Sequence, residues 1–164
     1  MDPHQVIDLA QLTIALADTL QQIPELVAQL ANQDPGMIVP FVDENPKKNS
    51  LTKAIYEMPP GSVLVAFQET QANANREMEA WIHRYNMYAR AAPGAKPMDI
   101  VKYLVDGVPV PGDGMRWRRC SIMDGVLPAE VAEITRVVDA EGVDYFAVMA
   151  ELKETGDYSE TGAP

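Results

Sequence analysis

The chain has 164 residues, 47% of them apolar and 23% charged, and this composition excludes collagen-like, low-complexity and wholly disordered proteins. No apolar run reaches the roughly 18 residues of a membrane helix, and the N-terminus lacks the basic start of a signal peptide. The single cysteine excludes an intramolecular disulfide. The net charge of −11 disfavours a surface that binds the nucleic-acid backbone. We therefore expect a soluble, acidic domain.

The first third of the chain predicts helices around one short strand. Apolar residues at three- and four-residue spacing from Val6 to Leu20 predict a long N-terminal helix. Asp2 is its expected N-cap, and Pro24 ends it. The next expected elements are a short helix, a strand and a helix capped by Ser50, over residues 24–31, 37–42 and 51–58.

The middle of the chain predicts a long β-hairpin. Residues 63–67 form a continuous apolar run of the buried-strand kind, and the polar stretch 69–75 is typical of a hairpin tip. Residues 76–89 then predict the return strand because aromatic and β-prone side chains cluster there. A helix over 76–90 is the competing interpretation. A helix over 98–106 follows, with Gly107 as its stop.

The C-terminal part predicts three more strands. The first covers 116–123, and the other two, 131–138 and 143–153, form a hairpin joined by residues 139–142. The last strand is apolar on both sides, so either helices cover both faces or one face meets another chain. The predicted fold class is α+β, a mainly antiparallel sheet with a long N-terminal helix and one further helix packed on it. We expect a single domain over 1–153 and a flexible acidic tail over 154–164.

Few residues suggest catalysis. Nucleotide-binding loops and Cys/His metal spacings are absent from the sequence, so no cofactor, metal site or catalytic residue is predicted. Cys120 with His83 is a conceivable nucleophile and base, but a lone cysteine in a strand is typical of a small core residue. Glu77 and Glu79 share one strand face, as acid/base pairs sometimes do, and charges beside a hairpin tip are usually solvated.

One basic cluster interrupts the acidic chain at Arg116, Arg118 and Arg119. It fits an exposed strand end, and it also fits a contact with an acidic neighbouring subunit, where arginine forms bidentate pairs. Direct DNA readout is a third interpretation. The expected protein–protein interface combines this cluster with the hairpin tip and the tail: Glu69, Gln71, Asn73, Asn75, Arg76, Glu77, Arg116, Arg118, Arg119, Asp157 and Tyr158.

The order of these elements resembles the tail terminator family of long-tailed bacteriophages. The matching features are the long N-terminal helix, the apolar strand 62–68, the hairpin tip 69–76, the aromatic return strand 77–89, the helix 98–106 and the closing hairpin 131–153. The stretch from Gly142 to Val148 also resembles the ends of such proteins. The segment 43–61 and the acidic tail depart from the family pattern.

The resemblance implies a structural virion protein of the neck rather than an enzyme. Such proteins form a hexameric ring on the tail tube protein, stop tube polymerisation and offer a surface to the head connector or adaptor. DNA would pass through the lumen without specific binding, and the protein would reside in the host cytoplasm during assembly. The alternatives are another connector, tail completion or adaptor protein, a small cytoplasmic enzyme, or a regulatory binding module.

Overall fold

The computed structural model describes residues 8–31, 37–42, 50–72, 81–92, 94–105, 122–138 and 144–154. These residues form four helices and one five-stranded sheet. In chain order the elements are α1 (Leu9–Leu20), α2 (Pro24–Ala31), β1 (Ile38–Phe41), α3 (Ser50–Glu57), β2 (Ser62–Ala72), β3 (Trp81–Arg90), α4 (Met98–Leu104), β4 (Glu130–Val138) and β5 (Asp144–Lys153).

The sheet has the strand order β1-β2-β3-β5-β4. β1 runs parallel to β2, and the other three neighbouring pairs are antiparallel. The α+β class with a mainly antiparallel sheet is therefore confirmed. The order also places β1 and β4 at opposite edges of the sheet, where each has one neighbouring strand among the described residues.

Helix α1 is shorter than the sequence predicts. It spans 12 residues and begins at Leu9, because Asp8 adopts an extended conformation and its carboxylate accepts from the N–H groups of Ala10 and Gln11 at 3.0 and 3.3 Å. Asp8 is thus the N-cap, a role that the sequence analysis gave to Asp2, and the long N-terminal helix is not confirmed. Residues 1–7 lie outside the described part of the chain.

The two faces of the sheet carry separate cores. On the helix face, the face that packs against α1, α2 and α4, the sheet contributes Val65, Tyr85, Val148 and Leu152 to a large buried cluster. On the opposite face, here called the α3 face, α3 packs against Leu64, Ala66, Tyr88 and others. β5 places side chains in the first cluster and packs others against the second, which accounts for its two apolar faces.

A buried hydroxyl anchors α1 to the sheet. The Tyr85 hydroxyl donates to the carbonyl of Leu9 at 3.0 Å, and the Thr13 hydroxyl lies 3.3 Å from the Tyr85 oxygen. Burial raises the pKa of Tyr85 to about 12, against a smaller opposing effect of the Thr13 hydrogen bond. The neutral phenol is therefore the form that the folded chain holds.

Strand β2 contains a β-bulge halfway along its length. Phe67 pairs with Tyr85 and Glu69 pairs with Arg84, so an extra residue, Gln68, lies between two consecutive partners. Gln68 and Glu69 both contact α3-face residues of β3. Beyond this bulge, Thr70 faces the helix side opposite His83.

Most other predicted elements agree with the structure to within a few residues. Residues 81–90 are a strand, so the competing helix interpretation of that part is wrong. Residues 69–72, predicted as the start of the hairpin tip, belong to β2 instead. Residues 73–80 lie outside the described residues, and the long hairpin as a whole is not confirmed. The predicted connection 139–142 and most of the predicted strand 116–123 also lie outside them. Ile122 and Met123 form a bend, not the end of a strand.

Candidate protein-interaction surfaces

Two of the predicted interface residues meet at one arginine on the α3 face. Arg84 Nη1 lies 2.6 Å from Glu69 Oε2 and also donates to Gln71, while Arg84 Nε donates to Glu151 Oε2 at 2.9 Å. The hydrogen bonds to Glu151 and Glu69 raise the pKa of Arg84 further above its ordinary value. This network ties β2, β3 and β5 together, and it leaves the Glu69 side chain 51% exposed.

The other predicted interface residues lie outside the part of the chain that the structure describes. Asn73, Asn75, Arg76 and Glu77 of the hairpin tip lie outside the described residues. The same holds for the arginine cluster and the tail: Arg116, Arg118, Arg119, Asp157 and Tyr158. Glu154, which the sequence places at the start of the flexible tail, instead forms an isolated β-bridge with Val126 and is buried.

An open groove of about 350 Å³ lies on the α3 face. Its wall is both polar and apolar, and in the polar part the Asn86 side-chain amide donates to Gln68 at 2.7 Å and to the Tyr88 hydroxyl at 3.1 Å. Burial raises the pKa of Tyr88, so this hydroxyl is neutral at pH 7. The other lining residues come from β4 and β5: Glu133, Thr135, Val137, Tyr145, Ala147 and Met149.

His83, a catalytic candidate in the sequence, is fully buried on the helix face. Its Nε2 lies 2.6 Å from Glu154 Oε2, and its Nδ1 lies 2.8 Å from Thr70 Oγ1. An ionised carboxylate can only accept, so Nε2 carries a hydrogen in this arrangement. Both ring nitrogens are engaged and none of the ring reaches solvent, which is typical of a structural histidine. Cys120, its conceivable partner, lies outside the described residues.

The trio holds the end of β5 in place. Besides the contact with His83, the Glu154 N–H donates to the Trp81 carbonyl at 2.9 Å, and the Leu127 N–H donates to the Lys153 carbonyl at 2.8 Å. Thr70, His83 and Glu154 therefore join β2, β3 and the residue after β5. The sequence analysis missed this trio, because its members lie 13 and 71 positions apart in the chain.

Apolar side chains are exposed at both edges of the sheet. At the β1 edge, an open groove of about 340 Å³ lies between α2 and β1 and is lined by Gln21, Val27, Leu30, Ala31, Met37 and Ile38. At the β4 edge, Ile134 and Val138 are 47% and 58% exposed. The sequence analysis missed both surfaces as well.

The two edges differ in how they could take another strand. β1 has only four residues, and one of them, Pro40, has no N–H to donate to a further strand. The carbonyl of Ile38 already accepts a hydrogen bond from the Gln21 side chain at 3.4 Å. β4 has nine residues and no proline, and it pairs with β5 alone among the described strands. Seven of those nine residues are exposed. β4 is therefore the more open edge.

Other kinds of site find little support in the part of the chain that the structure describes. Those residues hold no group of three or more His, Cys, Asp or Glu side chains placed to bind a metal ion. No described helix has the length and apolarity needed to cross a membrane. No protein-family model matches the chain, and a search of curated proteins finds no similar sequence.

Proposed function

We propose that this chain is a structural protein of a bacteriophage neck, a tail terminator that caps the tail tube as a ring. The observation that carries the proposal is the order of the elements. The described chain holds helices, a short strand, the antiparallel pair β2–β3, α4 and the closing pair β4–β5 in this order. The predicted sequence resemblance rests on these same elements.

The character of the exposed surfaces supports a role in assembly. The described residues present apolar side chains at both sheet edges, and exposed apolar patches are typical of protein contacts. Of the polar side chains that sequence reasoning considered, the structure describes three: His83 contacts Glu154 and Thr70, and Glu69 and Gln71 contact Arg84. The net charge of −11 would repel DNA from the wall of a lumen rather than bind it.

Electron microscopy of particles made without this gene tests the proposal. A tail terminator predicts tails of abnormal, uncontrolled length beside filled heads. Tails of normal length with unattached heads would assign the chain to the connector or adaptor proteins instead. Normal infectious particles would exclude every virion role. The remaining explanations would then be a small enzyme or a regulatory binding module.

A second experiment works with purified proteins. Tail tube protein is allowed to polymerise with and without this chain, and tube lengths are measured by negative-stain microscopy. We expect the chain to shorten tubes at a small molar ratio to tube protein, because it acts only at tube ends. Unchanged tube lengths, with no density added at the ends, would refute the proposal.

A further inference from the structure

The open groove on the α3 face follows from the register of the three strands beneath it. Ala147 of β5 pairs with Tyr88 of β3 on one side and with Thr135 of β4 on the other. A methyl group between two larger side chains leaves a trough, and the strands that form its walls lie two strand spacings, about 10 Å, apart. The groove of about 350 Å³ is therefore wide enough to receive one side chain of a partner.

The two ends of this groove differ in polarity. At one end, Glu133 and Asn86 lie on opposite sides of Met149 in the same row across the strands. At the other end, Val137 pairs with Tyr145. The floor and one end are thus largely apolar, whereas a carboxylate and an amide lie at the other end. This division suits a ligand with an apolar stem and a polar head.

Glu133 is the one charged residue among those that line the groove. Within the described chain its carboxylate accepts only from the Thr135 hydroxyl, at 3.3 Å, and forms no ion pair. The other charged side chains on the strands of this face are engaged: Arg84 with Glu69 and Glu151, Arg90 with the carbonyls of Tyr56 and Met58, and Lys153 with Glu130. The charge that this face leaves open is therefore negative, and it is complementary to a cation.

The amide of Asn86 favours the same kind of ligand. Its nitrogen donates to Gln68 and to the Tyr88 hydroxyl, so both of its hydrogens are used within the groove. Its carbonyl oxygen accepts from no side chain in the described part of the chain and is left as an acceptor. Together with the Glu133 carboxylate, it can accept from several donors of one ligand, such as the five N–H groups of a planar guanidinium.

We propose that the α3-face groove binds an arginine side chain of a partner protein, with the guanidinium between Glu133 and Asn86 and the aliphatic stem over Ala147. The apolar stem of arginine covers the floor, and its charged head meets the carboxylate of the groove. This role is separate from the proposed function, since the groove would hold the side chain whether or not the chain caps a tail tube.

The partner is a different protein rather than a second copy. The three arginines of the described chain have partners within that chain: Arg84 in its carboxylate network, Arg90 with two carbonyls at the end of α3, and Arg136 with Asp144 at 2.8 and 3.1 Å. A second copy thus offers no unpaired arginine from this part of its chain. The net charge of −11 also repels identical copies and attracts a basic partner.

NMR titration of the full chain tests the groove with a small probe. The probe is N-acetyl-arginine amide, which has the guanidinium and its stem without terminal charges. Its matched control is N-acetyl-citrulline amide, in which a neutral urea group replaces the guanidinium. We expect the arginine probe to bind saturably at millimolar concentration and to shift the side-chain amide signals of Asn86 and Gln68. Binding should weaken as salt is added, because the contact is electrostatic.

Glu133→Gln is the decisive variant, because it removes the charge and keeps the shape of the side chain. Its matched control is Glu130→Gln, which makes the same change on the same strand and face, at a carboxylate 3.7 Å from Lys153 and outside the groove. Both glutamates are exposed, so the variants should fold, and circular dichroism checks this. We expect Glu133→Gln to weaken binding of the arginine probe about tenfold. Glu130→Gln should change it by about twofold at most.

Several results would overturn the proposal. An arginine probe that causes no saturable shift would remove the site, and equal binding of the citrulline probe would show that the groove takes a neutral ligand. Unchanged binding by Glu133→Gln would place the guanidinium elsewhere. Self-association of the wild type that Glu133→Gln abolishes would assign the groove to an arginine of a second copy. None of these readouts depends on the length of tails or tubes, so failure here is distinguishable from failure of the terminator function.

Discussion

The buried hydrogen bond between His83 and Glu154 should contribute strongly to the free energy of unfolding. The two side chains are 0% and 9% exposed and lie 2.6 Å apart. Removing one partner of a buried hydrogen bond leaves the other group buried and unsatisfied, which costs about 1–3 kcal/mol and more for a charged group. Because the group left behind is a carboxyl, we expect about 3 kcal/mol for His83→Leu.

The double variant His83→Leu/Glu154→Leu provides the decisive comparison. Glu154→Leu alone should cost about 2 kcal/mol, since it leaves a buried N–H without its acceptor. Replacing both groups by apolar side chains of similar size is often close to neutral. The double variant should therefore lose clearly less than the roughly 5 kcal/mol obtained by adding the single losses.

Urea unfolding followed by circular dichroism measures these free energies, with an unchanged m-value as the check that the same surface unfolds. The matched control is Glu130→Leu, which removes a glutamate 65% exposed and 3.7 Å from Lys153. An exposed pair of this kind contributes about 0–1 kcal/mol. Single losses that simply add up in the double variant, or a His83→Leu loss no larger than the control, would refute the reasoning.

Three further predictions concern the fold and its pH dependence. Tyr85→Phe should lower the free energy of unfolding by about 1 kcal/mol at pH 7, because it removes a buried hydrogen bond. The difference in unfolding free energy between wild type and variant should narrow above pH 10, because the pKa of the phenol is higher in the folded chain and alkaline pH therefore favours the unfolded wild type. A difference that stays constant above pH 10 would contradict this. Leu16→Ala should cost about 2–5 kcal/mol in urea unfolding, whereas Ile14→Ala, 41% exposed on the same helix, should cost far less; similar losses would contradict the assigned burial. Asp144→Asn should be less stable than wild type at neutral pH, because hydrogen bonds from Arg136 lower the pKa of this carboxyl. That difference should shrink as the pH falls and disappear below the lowered pKa, and a difference that stays constant as the solution is acidified would contradict the pairing.

The elements were predictable where a local pattern determines them. The alternation in 143–153 predicted both faces of β5, and Pro24 correctly predicted the boundary between α1 and α2. The start of α1 was not predictable in this way, since Asp2 and Asp8 both suit an N-cap and only the structure shows which carboxylate caps the helix.

The candidate surfaces depend on information that a linear pattern does not contain. Whether Ile134 is exposed depends on β4 being an edge strand, and the strand order joins β3 to β5 across more than 50 intervening residues. The same limit applies to the partner of His83, which lies 71 positions further along the chain. The interface predicted around the hairpin tip remains a prediction at every residue, and the structure shows only that Glu69 and Gln71 contact Arg84 of the same chain.

The extra residue in β2 has a consequence for how this chain tolerates changes in length. Side chains of a strand alternate between faces, but at the bulge the neighbours Gln68 and Glu69 both reach α3-face residues of β3. Deleting Gln68 alone would therefore remove the bulge and leave Glu69 opposite Arg84 and Thr70 opposite His83. Related chains that lack this one residue should still place Thr70 beside the buried histidine.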